Sequence, residues 1–211
     1  MLNRRLFLGG AAAALASPAL GAQKASRIFR IIRDGDDIGS HMLEAVLGPN
    51  GFEIAIEIRI AVKVLGITAY RYEMDNREVW QGGRIVSVNS IVNDDGNKDF
   101  ARAKRSGQAL NVEGSRFSGT APVIAATTSY FTTDFLKRQP WISTQTGAPL
   151  EIGTAPEGRA RWWQTSGEIE TKLGYDATGE WIGCEFDAGG ELARYDISGS
   201  SGNISQLWAS A

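Results

Sequence analysis

Period-two alternation governs most of this chain. Ile54, Ile56, Ile58, Ile60, Val62 and Val64 fall on one face of an extended segment. Glu53, Glu57, Arg59 and Lys63 fall on the other, with Ala55 and Ala61 between them. Successive strand side chains point to opposite faces, so this reads as a strand buried on one side. At about 3.3 Å per residue its twelve residues reach about 40 Å, twice the usual strand length. Strands this long suit strongly curved sheets and barrels. Gly66 marks a bend or bulge, and a second long strand is expected from Ile67 to Trp80. It carries Tyr70, Tyr72, Met74, Asn76, Glu78 and Trp80 along one face.

Turn signals cut the rest into similar pieces. Asp34-Gly35 separates Arg27–Arg33 from Asp37–Leu47, and Pro49-Asn50-Gly51 leads into the long strand. Gln81-Gly82-Gly83, Asn93-Asp94-Asp95-Gly96 and Ser106-Gly107 divide Ile85–Val92, Lys98–Arg105 and Ala109–Val112. Near the other end, Asp176-Ala177-Thr178-Gly179 links Glu168–Tyr175 to Glu180–Phe186, and Ala188-Gly189-Gly190 leads to Leu192–Ile197. These are hairpin connections of an antiparallel meander. Residues 115–126 read as a loop. Thr127–Arg138 has helix character, with Thr127 or Thr128 as cap, an apolar stripe of Tyr130, Phe131, Phe135 and Leu136, and Pro140 as stop. The expected fold is all-β with one short helix: a long-stranded, strongly curved antiparallel sheet or incomplete β-barrel, the helix lying across it. Ser198–Asn203 is Ser/Gly-rich and expected to be mobile, with Ile204, Leu207 and Trp208 docking back.

The first 22 residues stand apart. Arg4-Arg5 precedes an apolar run, Ala11 to Leu20, that ends in small residues at Gly21-Ala22. This is the form of a cleaved twin-arginine signal, too short for a stable membrane anchor. The expected division is therefore 1–22 signal peptide, 23–197 a single β-barrel-like domain, and 198–211 a C-terminal tail, with the mature protein in the periplasm. Loss of Arg4 and Arg5 takes the formal charge from -2 to -4. A mildly acidic chain without a basic block does not suit nucleic acid or anionic membrane surfaces. No later segment approaches the roughly 20 apolar residues of a membrane helix.

Composition narrows the chemistry. Cys184 is the single cysteine, which rules out an internal disulfide, and its alternation with Ile182 and Phe186 reads as a buried apolar position. His41 is the single histidine and reads as a strand histidine on a partly exposed face. Neither a His/Cys metal site nor a phosphate-binding glycine loop is expected, and no cofactor. Asn93-Asp94-Asp95-Gly96 reads as a turn rather than a calcium loop. Ser129 reads as a helix cap rather than a nucleophile, and Glu168, Glu170 and Lys172 as a solvated strand face.

The segment Ile58–Tyr72 resembles a family of uncharacterised exported bacterial β-rich proteins. Matching pieces continue at Glu78–Arg84, Asn93–Gly96, Thr128–Tyr130, Thr144–Gly147, Tyr175-Asp176 and Gly179. The family carries no activity over to this chain. Its pattern is similar to that of the periplasmic lipoprotein carriers, in which an incomplete barrel and a helical lid enclose an apolar cavity.

These observations lead to a candidate ligand-binding set: Tyr70, Tyr72, Met74, Trp80, Tyr130 and Trp163. Rigid aromatics and methionine suit an apolar ligand with a polar head. Trp162 and Trp163 are consecutive, so in a strand they face opposite ways and one of them meets solvent or a groove. No catalytic residue and no metal ligand is assigned. The leading reading is a periplasmic module that binds an apolar or amphipathic, lipid-like small molecule. A carboxylate-dependent hydrolase on the concave face and a non-catalytic envelope interaction protein stand beside it. A dry apolar cavity favours the first, and two converging carboxylates favour the second.

Overall fold

The two long alternating segments form the tallest hairpin of the molecule. In a computed structural model that describes residues 22–64 and 66–211, they are β3 (Gly51–Val64) and β4 (Ile67–Gln81). β1 (Gln23–Arg33) and β2 (Asp36–Gly48) precede them. β5 (Arg84–Asp94), β6 (Asn97–Ser106), β7 (Ala109–Gly114) and β8 (Ser118–Pro122) follow in an antiparallel meander. Three two-residue strands, β9 (Ala126–Thr127), β10 (Trp141–Ile142) and β11 (Pro149–Leu150), form a separate small sheet. A second meander comprises β12 (Ile152–Pro156), β13 (Trp162–Gly167), β14 (Lys172–Tyr175), β15 (Trp181–Asp187) and β16 (Leu192–Ser201). The two meanders join where β16 pairs with β1, from Ser26 opposite Ser201 to Arg33 opposite Ala193. The result is one thirteen-stranded antiparallel sheet in the order β12-β13-β14-β15-β16-β1 through to β8. Its edges, β12 and β8, do not pair, so the curved sheet stays open. The incomplete barrel read from strand length is the observed architecture.

Hairpin chemistry behaves as the sequence indicates. Asp95 and Gly96 both take positive φ, and the Gly96 amide donates to Asn93 Oδ1 at 3.0 Å, so the carboxylate cluster is a turn. The gap between the sheet edges is spanned from within by the connection 123–151. It touches β4 through Thr127 and Glu78, β5 through the Val123 carbonyl, β14 through Tyr175, and β12 through Thr154. It also lies tight against β7, where Gly114 meets the Thr146 carbonyl. A Cβ at Gly114 would stand 2.1 Å from that oxygen, so no larger residue fits.

Several expectations are corrected here. Thr127–Arg138 is not an α-helix. Only Thr133–Lys137 coils, as a 3-10 turn capped by Thr132, and Tyr130 sits at positive φ. Four aromatic or β-branched residues in a row, Tyr130 to Thr133, resist a regular helix and favour the extended path that reaches across the sheet. The α-helix among the described residues is α1 (Ile204–Ala209), capped by Asn203, whose Oδ1 accepts from the Gln206 amide at 2.7 Å. The expected loop 115–126 contains β8. Ser198–Ser201, expected to be mobile, extends β16 along β1. Ile204, Leu207 and Trp208 do dock, and all three are buried. The expected signal peptide lies outside the described residues apart from Ala22.

Packing divides the interior lengthwise. At one end Phe52, Trp80, Phe131, Phe135 and Trp208 form an aromatic plug with ring centroids 4.8–6.2 Å apart. Trp208 Nε1 donates to Asp134 Oδ2 at 2.8 Å, which ties α1 to the 3-10 turn. On β3, Phe52, Ile54 and Ile56 belong to this core. Farther along the same face, Ile58, Ile60 and Val62 line open space instead.

Candidate functional site

That space is a cavity of about 690 Å³, within the size range of pockets that hold small organic molecules. β3 supplies Ile58, Ile60 and Val62, and β4 supplies Tyr70, Tyr72 and Met74. The register of the hairpin sets these residues opposite one another: Ile58 with Met74, Ile60 with Tyr72, Val62 with Tyr70. Across the cavity stand Cys184 and Phe186 from β15 and Tyr195 from β16. The connection contributes Tyr130, held by a hydrogen bond from the Tyr175 hydroxyl to its carbonyl at 3.0 Å.

Of the six residues expected to line a ligand site, Tyr70, Tyr72, Met74 and Tyr130 meet in this one cavity. Trp80 does not. It is wholly buried in the plug, and its Nε1 donates to Glu78 Oε2 at 2.9 Å. Strand length separates them: the row Tyr70 to Trp80 spans about 33 Å at 3.3 Å per residue, and the cavity lining on β4 ends at Met74. Trp163 packs half-buried against the core from β13, away from the cavity. Its neighbour Trp162 faces the other way, beneath the Arg159 guanidinium 4.0 Å from the ring centroid.

The residues that sequence reasoning missed come from the second meander and from β2. Tyr195 and Phe186 are inward positions of alternating segments, a signal present in Leu192–Ile197 and Glu180–Phe186. Their approach to β4 depends on the β16–β1 pairing, which no local pattern encodes. His41 is the clearest correction. It is buried rather than partly exposed, with 3% of its surface accessible, and it lines the cavity. Trp181 and Tyr195 pack edge-on to its ring at 5.1 and 5.5 Å, with Phe29 at 6.3 Å. Neither ring nitrogen has a hydrogen-bond partner. Burial lowers its pKa to about 3, so the imidazole is neutral at ordinary pH.

The tyrosine hydroxyls form a second polar feature. Tyr70 donates to Asp94 Oδ1 at 2.8 Å. Those of Tyr72, Tyr130 and Tyr195 have no hydrogen bond to any described residue. Burial raises the pKa of all three, reinforced for Tyr72 by Tyr70, Asp94 and Asp99, and for Tyr195 by Cys184, Tyr130 and Tyr72. Burial also pushes the Cys184 thiol up to about 12, and the Thr171 hydroxyl lies 3.0 Å from its sulfur. The thiol is protonated at neutral pH and lacks thiolate reactivity.

Beside the cavity, Glu78 is fully buried. It accepts hydrogen bonds from Asn76 at 2.8 Å, Trp80 at 2.9 Å and Thr127 at 3.1 Å, and Ser129 sits 2.6 Å from the Thr127 hydroxyl. Ser129, expected as a helix cap, instead completes this network. Desolvation raises the Glu78 pKa against the opposing effect of the hydrogen bonds. At the rim, Gln145 Nε2 lies 3.4 Å from both Asp94 and Asp99. Glu170, expected on a solvated face, lines the opening with Asp187 and Arg33. No group of three or more His, Cys, Asp or Glu able to hold a metal occurs among the described residues, and no helix among them is long and apolar enough to cross a membrane.

The architecture is similar to a crystal structure of a beta-barrel-like protein of a domain of unknown function, DUF1849, from Brucella abortus. The TM-score is 0.55 over 84% of this chain and 97% of that one, at 7% sequence identity. This likeness is one of fold. No curated protein matches the sequence. The model of a domain of unknown function, DUF6134, matches residues 29–198, so from β1 into β16 the chain belongs to that uncharacterised β-rich family.

Proposed function

We propose that this protein binds an apolar or amphipathic, lipid-like small molecule in the cavity between β3, β4, β15 and β16, and that it does so in the periplasm after twin-arginine export. The carrying observation is the change along one face of β3, from close-packed core at Phe52–Ile56 to cavity wall at Ile58–Val62. A sequence that keeps apolar residues facing about 690 Å³ of open space forgoes the dispersion contacts that packing supplies. Occupation by an apolar molecule restores them. The export half of the reading is supported by Arg4-Arg5 and the apolar run that follows.

The test is binding of 1-N-phenylnaphthylamine, an environment-sensitive apolar fluorophore, at micromolar concentration. Fluorescence enhancement that saturates at one probe per protein is expected. Tyr72→Asp puts a carboxylate into the cavity wall and should weaken binding at least tenfold at temperatures well below its melting point. An unaltered affinity in a folded Tyr72→Asp protein would place the probe elsewhere and remove the cavity reading.

A further inference from the structure

We propose that the cavity's guest is an uncharged hydrocarbon carrying one hydroxyl or carbonyl group, and that this group lodges inside, at the wall formed by Tyr72, Tyr130, Tyr195 and His41. The inference rests on the binding reading above and adds the chemistry of the ligand's head and the direction in which it enters.

Three observations carry it. The first is unmet hydrogen-bonding capacity. His41 is buried on the cavity wall with both ring nitrogens unpartnered, and buried polar groups in folded proteins are nearly always bonded. Neutral imidazole offers one donor and one acceptor, and each phenol offers both. The hydroxyls of Tyr72, Tyr130 and Tyr195 are also without protein partners, and all three side chains line the same space as His41. A hydroxyl or carbonyl oxygen is the complement of such a set.

The second observation is charge. A carboxylate or phosphate head brought to this depth needs a cation, and the wall offers none: the imidazole is neutral and the phenols are held protonated. Arg33 is the one cationic lining residue, and it is engaged at the rim, donating to the Ala188 carbonyl at 2.9 Å and facing Glu191 at 3.2 Å. The third is the entrance. Glu170 and Asp187 line the opening, and Asp94 and Asp99 converge on Gln145 beside it. An anionic head left at the mouth meets these carboxylates, while the Arg33 guanidinium there is already engaged. Both ends of the cavity therefore disfavour an anionic lipid, while its apolar middle and uncharged polar wall suit a neutral one.

The experiment is displacement of bound 1-N-phenylnaphthylamine at pH 8 by 1-dodecanol, 2-tridecanone and dodecanoate, chains of similar length with different heads. The alcohol and the ketone should displace the probe at concentrations at least tenfold below that of the carboxylate. In Tyr72→Phe/Tyr195→Phe the hydroxyls have no protein partner to lose, so the fold is kept. There the gap should narrow to less than threefold through weaker alcohol binding. His41→Leu, checked for folding by its near-UV circular dichroism, should move the ratio the same way. Dodecanoate displacing as well as dodecanol, or a ratio unchanged in the double variant, overturns the inference and leaves the cavity reading intact. The same holds if none of the three chains displaces bound probe. Failure of the probe itself to bind overturns the cavity reading and this inference together.

Discussion

A single imidazole shows how much one side chain can decide here. His41 is neutral in the folded protein, with a pKa of about 3, against an ordinary value of 6.5. Between those values the unfolded chain binds a proton that the folded one does not. Its contribution to stability is therefore complete above pH 6.5 and is lost as pH falls towards 3. The full difference is about 5 kcal/mol, of which about 3 kcal/mol is spent by pH 4.5. Glu78 acts in the opposite sense: its raised carboxyl pKa favours the fold at low pH and loses that contribution as pH rises above 4.5. Comparing wild type with His41→Leu cancels the Glu78 effect. The expected outcome of urea melts at pH 7 and 4.5 is a wild-type loss about 2–3 kcal/mol larger than that of the variant. Equal losses would mean that the imidazole reaches solvent and titrates normally.

At the level of elements, α1 is short and depends on what it covers. Trp208 contacts Phe52, Trp80, Phe131 and Phe135, so Trp208→Ala should cost about 3–5 kcal/mol by opening the plug. Because the plug and the cavity occupy opposite ends of β3, probe affinity measured on folded protein should change less than twofold. A parallel loss of affinity would show that the plug sets the cavity wall. The strands were the legible part of this fold. Alternation from Ile54 to Val64 and turn signals such as Asp34-Gly35 depend on local chemistry alone. The connection 123–151 was not legible, because its residues are arranged by partners far away in sequence: Thr127 by Glu78, Thr132 by Glu180, Gly147 by Gly114. The candidate site divides along the same line. Tyr70, Tyr72 and Met74 follow from the register of one hairpin. Tyr195 and His41 needed the β16–β1 seam, and Trp80 was misplaced because a shared face says nothing about how far a cavity extends.

On the scale of the whole molecule, the proposed export route gives a further expectation. The Arg4-Arg5 pair is read by a receptor rather than as charge, so Arg4→Lys with Arg5→Lys should retain the precursor in the cytoplasm, as cell fractionation would reveal. Normal periplasmic accumulation of the double variant would refute the twin-arginine assignment. The open sheet has a mechanical consequence as well. In a closed barrel, strand number and shear set a single radius, and widening it means breaking a ladder of backbone bonds. Here no ladder joins β8 to β12. The curl is held by separate contacts of the inner connection: Thr127 to Glu78, Tyr175 to the Tyr130 carbonyl, Thr154 to the Leu136 carbonyl. These are single side-chain hydrogen bonds rather than a continuous ladder. On the binding reading proposed above, a bore held in this way would give like a coiled spring, and one wall would grip guests of different girth.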